Sequence, residues 1–143
     1  MNYMKEAIKE AKIAFKENEV PVGAVIVSKG KIIARAHNRC ENGKNPTLHA
    51  EMVAISNACQ KLGTKTLDNC ELYVTVEPCP MCAGAIGLSK IKRVYIGCEE
   101  PKTGAMGSKI NTAEHMPWNT EVYFGFCEDE CKKLIKSFFE SKR

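Results

Sequence analysis

Apolar side chains at Tyr3, Met4, Ala7, Ile8, Ala11, Ala14 and Phe15 recur at steps of three and four, which predicts one face of a helix over about residues 2–17. Pro21 cannot continue that helix. Val22–Val27 is a β-branched run, Lys29-Gly30 supplies a turn, and Lys31–Arg35 reads as the returning strand of a hairpin. Residues 38–46 are loop by composition. A second helical stripe follows at Leu48, Met52, Ile55, Ala58, Cys59 and Leu62, and Gly63 stops it. Leu72–Val76 predicts a strand, and Pro80 is placed to open a third helix running to about Leu88. Val94–Ile96 and Glu121–Phe126 read as further strands, with mostly loop at 99–119 between them. Cys131, Leu134, Ile135, Phe138 and Phe139 stripe a last helix.

Strands alternating with helices after an opening hairpin predict an α/β fold: a central mixed sheet with helices on both faces. With 143 residues and no linker, repeat or low-complexity break, the expectation is one domain over 1–143. A hydrophobic fraction of 44% and a charged fraction of 27% are ordinary for a globular chain and exclude disordered and collagen-like readings. The net charge of +4 permits a nucleic-acid partner without requiring one. The N-terminal residues lack the apolar block of a signal peptide, and no stretch approaches the roughly 18 apolar residues of a membrane span. The expectation is therefore a cytoplasmic protein with no membrane partner.

That expectation changes the meaning of the eight cysteines, at 40, 59, 70, 79, 82, 98, 127 and 131. In a secreted peptide they would suggest disulfides; in a reducing compartment they suggest metal ligands and small buried thiols. Cys79 and Cys82, two residues apart at the start of a predicted helix, can both bind one ion, and His49 at the start of another completes a three-ligand set. Helix N-termini carry partial positive charge that favours thiolates. Three protein ligands leave the fourth position of a tetrahedral zinc for water, as in catalytic sites. Glu51 lies two residues beyond His49, so on a helix it points away from the ligand position and toward the bound water, where a carboxylate can shuttle a proton. Each piece has a plainer reading when taken alone. A single His is more often a satisfied surface or core residue, a lone Cys-x-x-Cys could be a redox pair, and Cys127 with Cys131 could be core thiols.

In combination the pieces match an established pattern, because His-x-Glu followed by Pro-Cys-x-x-Cys is the signature of zinc nucleobase deaminases. The chain resembles the cytidine/deoxycytidylate deaminase superfamily, and within it the branch acting on adenosine in bacterial tRNA. The resemblance is carried by Glu19–Val25, Asn38-Arg39, Pro46-Thr47 ahead of His49-Ala50-Glu51, and Leu72–Thr75. It continues through Glu77–Ala85, Lys102–Ala105 with Gly107-Ser108, and Cys131 with Phe138-Phe139. It implies a three-layer α/β/α, cytidine deaminase-like fold on a five-stranded mixed sheet, with one zinc ion per subunit held by His49, Cys79 and Cys82. Glu51 is implied as the proton shuttle and Asn38 as a hydrogen-bonding partner of the target nucleoside. Glu100 and Lys102 are implied near flanking nucleotides. The resemblance further implies a homodimer acting on a tRNA anticodon loop and converting the wobble adenosine to inosine. The chain departs from the usual pattern at Glu100, where the family generally carries Asp. It departs again at Asn119-Thr120-Glu121, where the tRNA branch tends to carry basic residues.

Three functions therefore compete: a tRNA adenosine deaminase, a deaminase of free guanine or cytosine, and a non-catalytic zinc-stabilised RNA-binding module. The module reading requires a fourth protein ligand, such as Cys98 or Cys127. Among side chains outside the motif, Trp118 could stack on a base or pack locally, and Phe138 and Phe139 are expected in the core or at a dimer contact. Lys132, Lys133, Lys136, Lys142 and Arg143 are expected on a solvated helix face, with phosphate contact as the alternative.

Overall fold

The structure is a computed structural model that describes all residues from 1 to 143. Its opening helix α1 spans Tyr3–Lys16, with the Asn2 side chain accepting a hydrogen bond from Lys5 N to cap the first turn. β1 (Gly23–Ser28) and β2 (Lys31–His37) form the expected antiparallel hairpin, and β2 runs on to His37. Lys29 and Gly30, at φ 52° and 74°, give the two-residue turn the positive φ values that match the strand twist. β3 (Cys70–Val76) pairs antiparallel with the other edge of β1, while β4 (Arg93–Cys98) and β5 (Glu121–Phe124) follow in parallel. The result is one five-stranded mixed sheet in the order β2-β1-β3-β4-β5.

Helices cover both faces, as alternating strands and helices require. α1 lies across β1, β2 and β3, and α4 (Glu128–Glu140) lies beside it on β4. Two glycines record how tightly these layers meet. A Cβ at Gly23 would collide with backbone atoms of Ala7 and Ala11, and one at Gly97 with the Cys131 sulfur. α2 (Ala50–Leu62) packs on β1 and β2 from the other side, with α3 (Pro80–Leu88) alongside it. Ile26, Leu72, Val74, Val94 and Ile96 are completely buried between the layers. All eight cysteines are free thiols, and no helix is long and apolar enough to cross a membrane.

Beyond longer strands β2, β3 and β4, the structure differs from the sequence reading at the start of α2 and the end of the last strand. α2 begins at Ala50 and not at Leu48, because His49 has extended backbone (ψ 152°) and stands at the N-cap. Leu48 belongs instead to the preceding loop, where it covers Gly43. The last strand ends at Phe124, where Gly125 turns the chain with φ 92°. Residues 99–119 are mostly loop, as expected, with a bridge between Met106 and Asn111 and a 3-10 turn at Thr112–Glu114.

Candidate metal centre and cavity

The parallel strands β3 and β4 end at Val76 and Cys98, and the chain's principal cavity, about 760 Å³, opens beside those ends. Ligands in α/β sheets gather at the carboxyl ends of strands for a topological reason: the loops that leave the sheet there converge. Here they deliver two helix N-termini. His49 is the N-cap of α2, and Cys79 is the N-cap of α3, with Pro80 at its first helical position. Cys82 sits in the first turn of α3 and is completely buried. Neither side chain is spent on an N-capping bond, so both are available as metal ligands. Asn38 does the capping for α2 from a distance: its Oδ1 accepts from Ala50 N at 2.8 Å.

The donor set fits zinc. A tetrahedral ion with Zn–S of about 2.3 Å and Zn–N of about 2.0 Å keeps neighbouring donors about 3.5 Å apart. His49 Nδ1 lies 3.6 Å from Cys79 Sγ and 3.5 Å from Cys82 Sγ, and all three atoms lie within 4.8 Å of one another. No fourth histidine, cysteine or carboxylate joins them. Cys98 donates to Thr75 O, so it does not complete the set, and the closed structural site required by the module reading is not formed.

The electrostatics of the group are those of shared protons. A hydrogen bond from Cys82, helped by the His49 ring, holds the Cys79 thiol down to about 4. Donating that bond, together with burial, pushes the Cys82 thiol up. The Cys79 sulfur in turn raises His49. A divalent ion displaces such protons when it binds. Glu51 is 3% exposed and lines the same cavity. Burial raises its carboxyl to about 7, against the opposing pull of its own backbone N–H and the His49 charge. A carboxyl poised near neutrality both accepts and returns a proton.

The other candidate residues separate. Asn38 and Glu100 line the cavity. With Asn38 Oδ1 committed to Ala50, its amide N–H groups have no partner in the chain. Lys102 is exposed and off the cavity wall, with its backbone N–H donating to Glu100 Oε1 at 3.0 Å. Trp118 packs locally: its ring lies on Gly87 of α3, where even a Cβ would overlap it. Phe138 is buried and meets Phe15 edge to face at 5.7 Å. Phe139 is 49% exposed and, like Lys142, stands on the cavity rim. Lys132 and Lys136 are paired with Glu128 and Glu140 along α4, as a solvated face would be. Glu121 lies at the opposite end of β5 from the site, paired with Arg93, so this departure from the family pattern does not touch the cavity.

Sequence reasoning missed two buried carboxylates that shape the cavity. Glu19, 1% exposed, accepts from Glu41 N at 3.0 Å, Asn42 N at 2.7 Å and the Asn42 side chain at 2.5 Å. Glu77, 3% exposed, gathers donors from residues 100–108. The available signal was position: Glu77 directly follows an apolar strand, and Glu19 precedes the apolar run from Val20 to Val27, where a solvated acid has little reason to be.

Residues 1–98 match the family model described as the cytidine and deoxycytidylate deaminase zinc-binding region. The tRNA-specific adenosine deaminase of Bacillus subtilis (strain 168) is 49% identical over 143 residues, covering 99% of this chain and 89% of that protein. A solved structure from work on A-to-I editing by tRNA:A34 deaminases superimposes with a TM-score of 0.90 at 40% identity, over 92% of this chain and 97% of that one. The guanine deaminase of Bacillus subtilis superimposes with a TM-score of 0.66 at 38% identity, over 78% of this chain and 66% of that one.

Two outcomes follow from this geometry. Cys82→Ser is expected to bind zinc substoichiometrically by elemental analysis; a full ion per chain would contradict the ligand set. Glu19 is held below the ordinary carboxylate range: burial opposes this, but the N–H donors of Asn42 and Glu41 outweigh it. Its stabilising contribution is therefore present above the unfolded carboxylate range and disappears as pH falls through the folded value. The stability gap between wild type and Glu19→Gln in denaturant melts should be about 2 kcal/mol at pH 7 and should shrink toward pH 3.

Proposed function

Because the chain belongs to the cytidine and deoxycytidylate deaminase family, we propose that it hydrolytically deaminates adenosine to inosine at the wobble position of a tRNA anticodon. The observation that carries the reaction type is a neutral-range, buried Glu51 beside a three-donor set that closes one end of a cavity. The tRNA substrate is supported by relatives of that name, matched over nearly the whole chain. An anticodon loop suits a recessed site because its bases are already unpaired and can be splayed out.

His49, Cys79 and Cys82 hold the zinc ion, one per chain. When bound, the ion acidifies a water molecule, bringing its pKa to about 7. Glu51 takes a proton from the attacking water and delivers it to N1 of the adenine as the C6–O bond forms. It then takes the remaining hydroxyl proton from the C6–OH and passes it to the exocyclic nitrogen, and as the C6=O double bond forms the C6–N bond breaks to release ammonia and leave inosine. Asn38 presents its amide N–H groups to the nucleoside, and burial around Glu51 excludes bulk water from the proton path. Glu100 on the wall and Lys102 just outside it stand where flanking nucleotides pass.

The 143 residues act as one deaminase domain in the cytoplasm. The partner besides tRNA is a second copy of the chain. Exposed apolar side chains support this: Leu88 at the end of α3 is 75% exposed, Leu62 at the end of α2 44%, and Met116 in the loop after the 3-10 turn 43%.

Glu51→Gln should keep one zinc per chain and lose about 10²–10⁴-fold in deamination rate; retained activity would refute the shuttle role. Offered a tRNA whose anticodon begins with adenosine alongside free guanine and cytosine, the wild-type protein should produce inosine in the tRNA. Turnover confined to a free base would favour the free-base reading, to which the guanine deaminase likeness gives a specific alternative. In sedimentation the chain should run at twice its 15.9 kDa mass, and Leu88→Asp should shift it toward monomer.

A further inference from the structure

We propose that Glu77 is a positioning residue that fixes one wall of the substrate cavity to the metal-binding turn, and so governs how tightly the nucleoside is held without taking part in proton transfer. The proposal deepens the deaminase reading above and rests on it.

An ionised carboxylate offers about four acceptor positions and no donor. In Glu77 all four are used by one loop. Oε1 accepts from Glu100 N at 3.1 Å and from the Ser108 hydroxyl. Oε2 accepts from Met106 N at 3.0 Å and Ser108 N at 3.1 Å. The loop is thus wrapped around a charge that is itself 3% exposed. Gly104 closes over the carboxylate, where a Cβ would overlap it.

The same residue is joined by backbone to both sides of the site. Its N–H donates to Cys98 O at 2.9 Å, and the next carbonyl, of Pro78, accepts from Ala105 N at 2.9 Å. Cys79 follows immediately. Glu77 therefore ties the turn that presents the sulfurs to the loop that presents Glu100 and Thr103 to the cavity. None of its oxygens is free for substrate, which separates it from Glu51. Its chemistry is that of a template: charge-assisted bonds to backbone N–H groups set the path of a segment with little regular structure of its own.

An amide in place of the carboxylate keeps the shape but turns an NH2 toward N–H donors. In Glu77→Gln, KM for the tRNA substrate should rise about tenfold while kcat stays within about threefold and zinc remains at one per chain. Amide exchange at Met106 and Ser108 should accelerate in the same protein. That readout does not depend on activity, so a failure of the deaminase assignment would leave it intact. Ser108→Ala, which removes one donor and keeps the charge, should show the same KM direction at smaller size and serves if Glu77→Gln does not fold. An unchanged KM, a loss confined to kcat, loss of zinc, or unaltered exchange at Met106 and Ser108 would overturn the proposal.

Discussion

Two helices begin at the same place, and the rest of the site follows from that. An α-helix starts with N–H groups that have no partner and with a concentration of positive partial charge. Where α2 and α3 start side by side, that charge falls on His49, Cys79 and Cys82. Two sulfurs held within reach of one imidazole are costly for a protein to keep ionised. The helix ends reduce that cost locally, and a divalent ion removes most of what remains. The sheet beneath makes the meeting possible, because β2 and β3, lying on either side of the antiparallel β1, both leave the sheet at the same end and so bring residue 49 against residues 79 and 82.

Buried carboxylates supply the second layer of control, with three different fates. Burial outweighs what Glu51 has to offset it, which is its own backbone N–H, the His49 charge and a hydrogen bond from Cys82, and its carboxyl rises to about 7. Glu19 is as deeply placed but receives three donors from Glu41 and Asn42, which keep it ionised. Glu77 is satisfied by four donors and shapes a loop. The same functional group thus titrates near neutrality where donors are few and is a structural anchor where they are many. The two anchors hold two parts of the lining of one cavity, the first through residues 41–42 and the second through residues 100–108.

Asn38 joins these layers. One end of its amide caps α2 and so steadies His49 at the N-cap, while the other end is left for the cavity. A substitution there acts on the helix that carries His49 as well as on the cavity lining, so its effects on the two cannot be separated by activity alone.

The elements and the side chains that cluster at the candidate metal centre were legible from sequence because their signals are local. Helical spacing marked α1, α2 and α4, β-branched runs marked the strands, and His49, Glu51, Cys79 and Cys82 stood out because metal chemistry demands those types at short spacing. The hairpin announced itself through Lys29-Gly30. The roles of Glu19 and Glu77 were not legible, since their partners lie 22 or more residues away and are mostly backbone N–H groups, which have no residue-type signature. Phe139 and Lys142 on the cavity rim, Trp118 against Gly87 and Lys102 outside the wall were likewise decided by how α4 and the 99–119 segment fold back on the sheet. Covalent order sets which atoms can react, but the distances between them, and the solvent each one sees, exist only once the layers have packed.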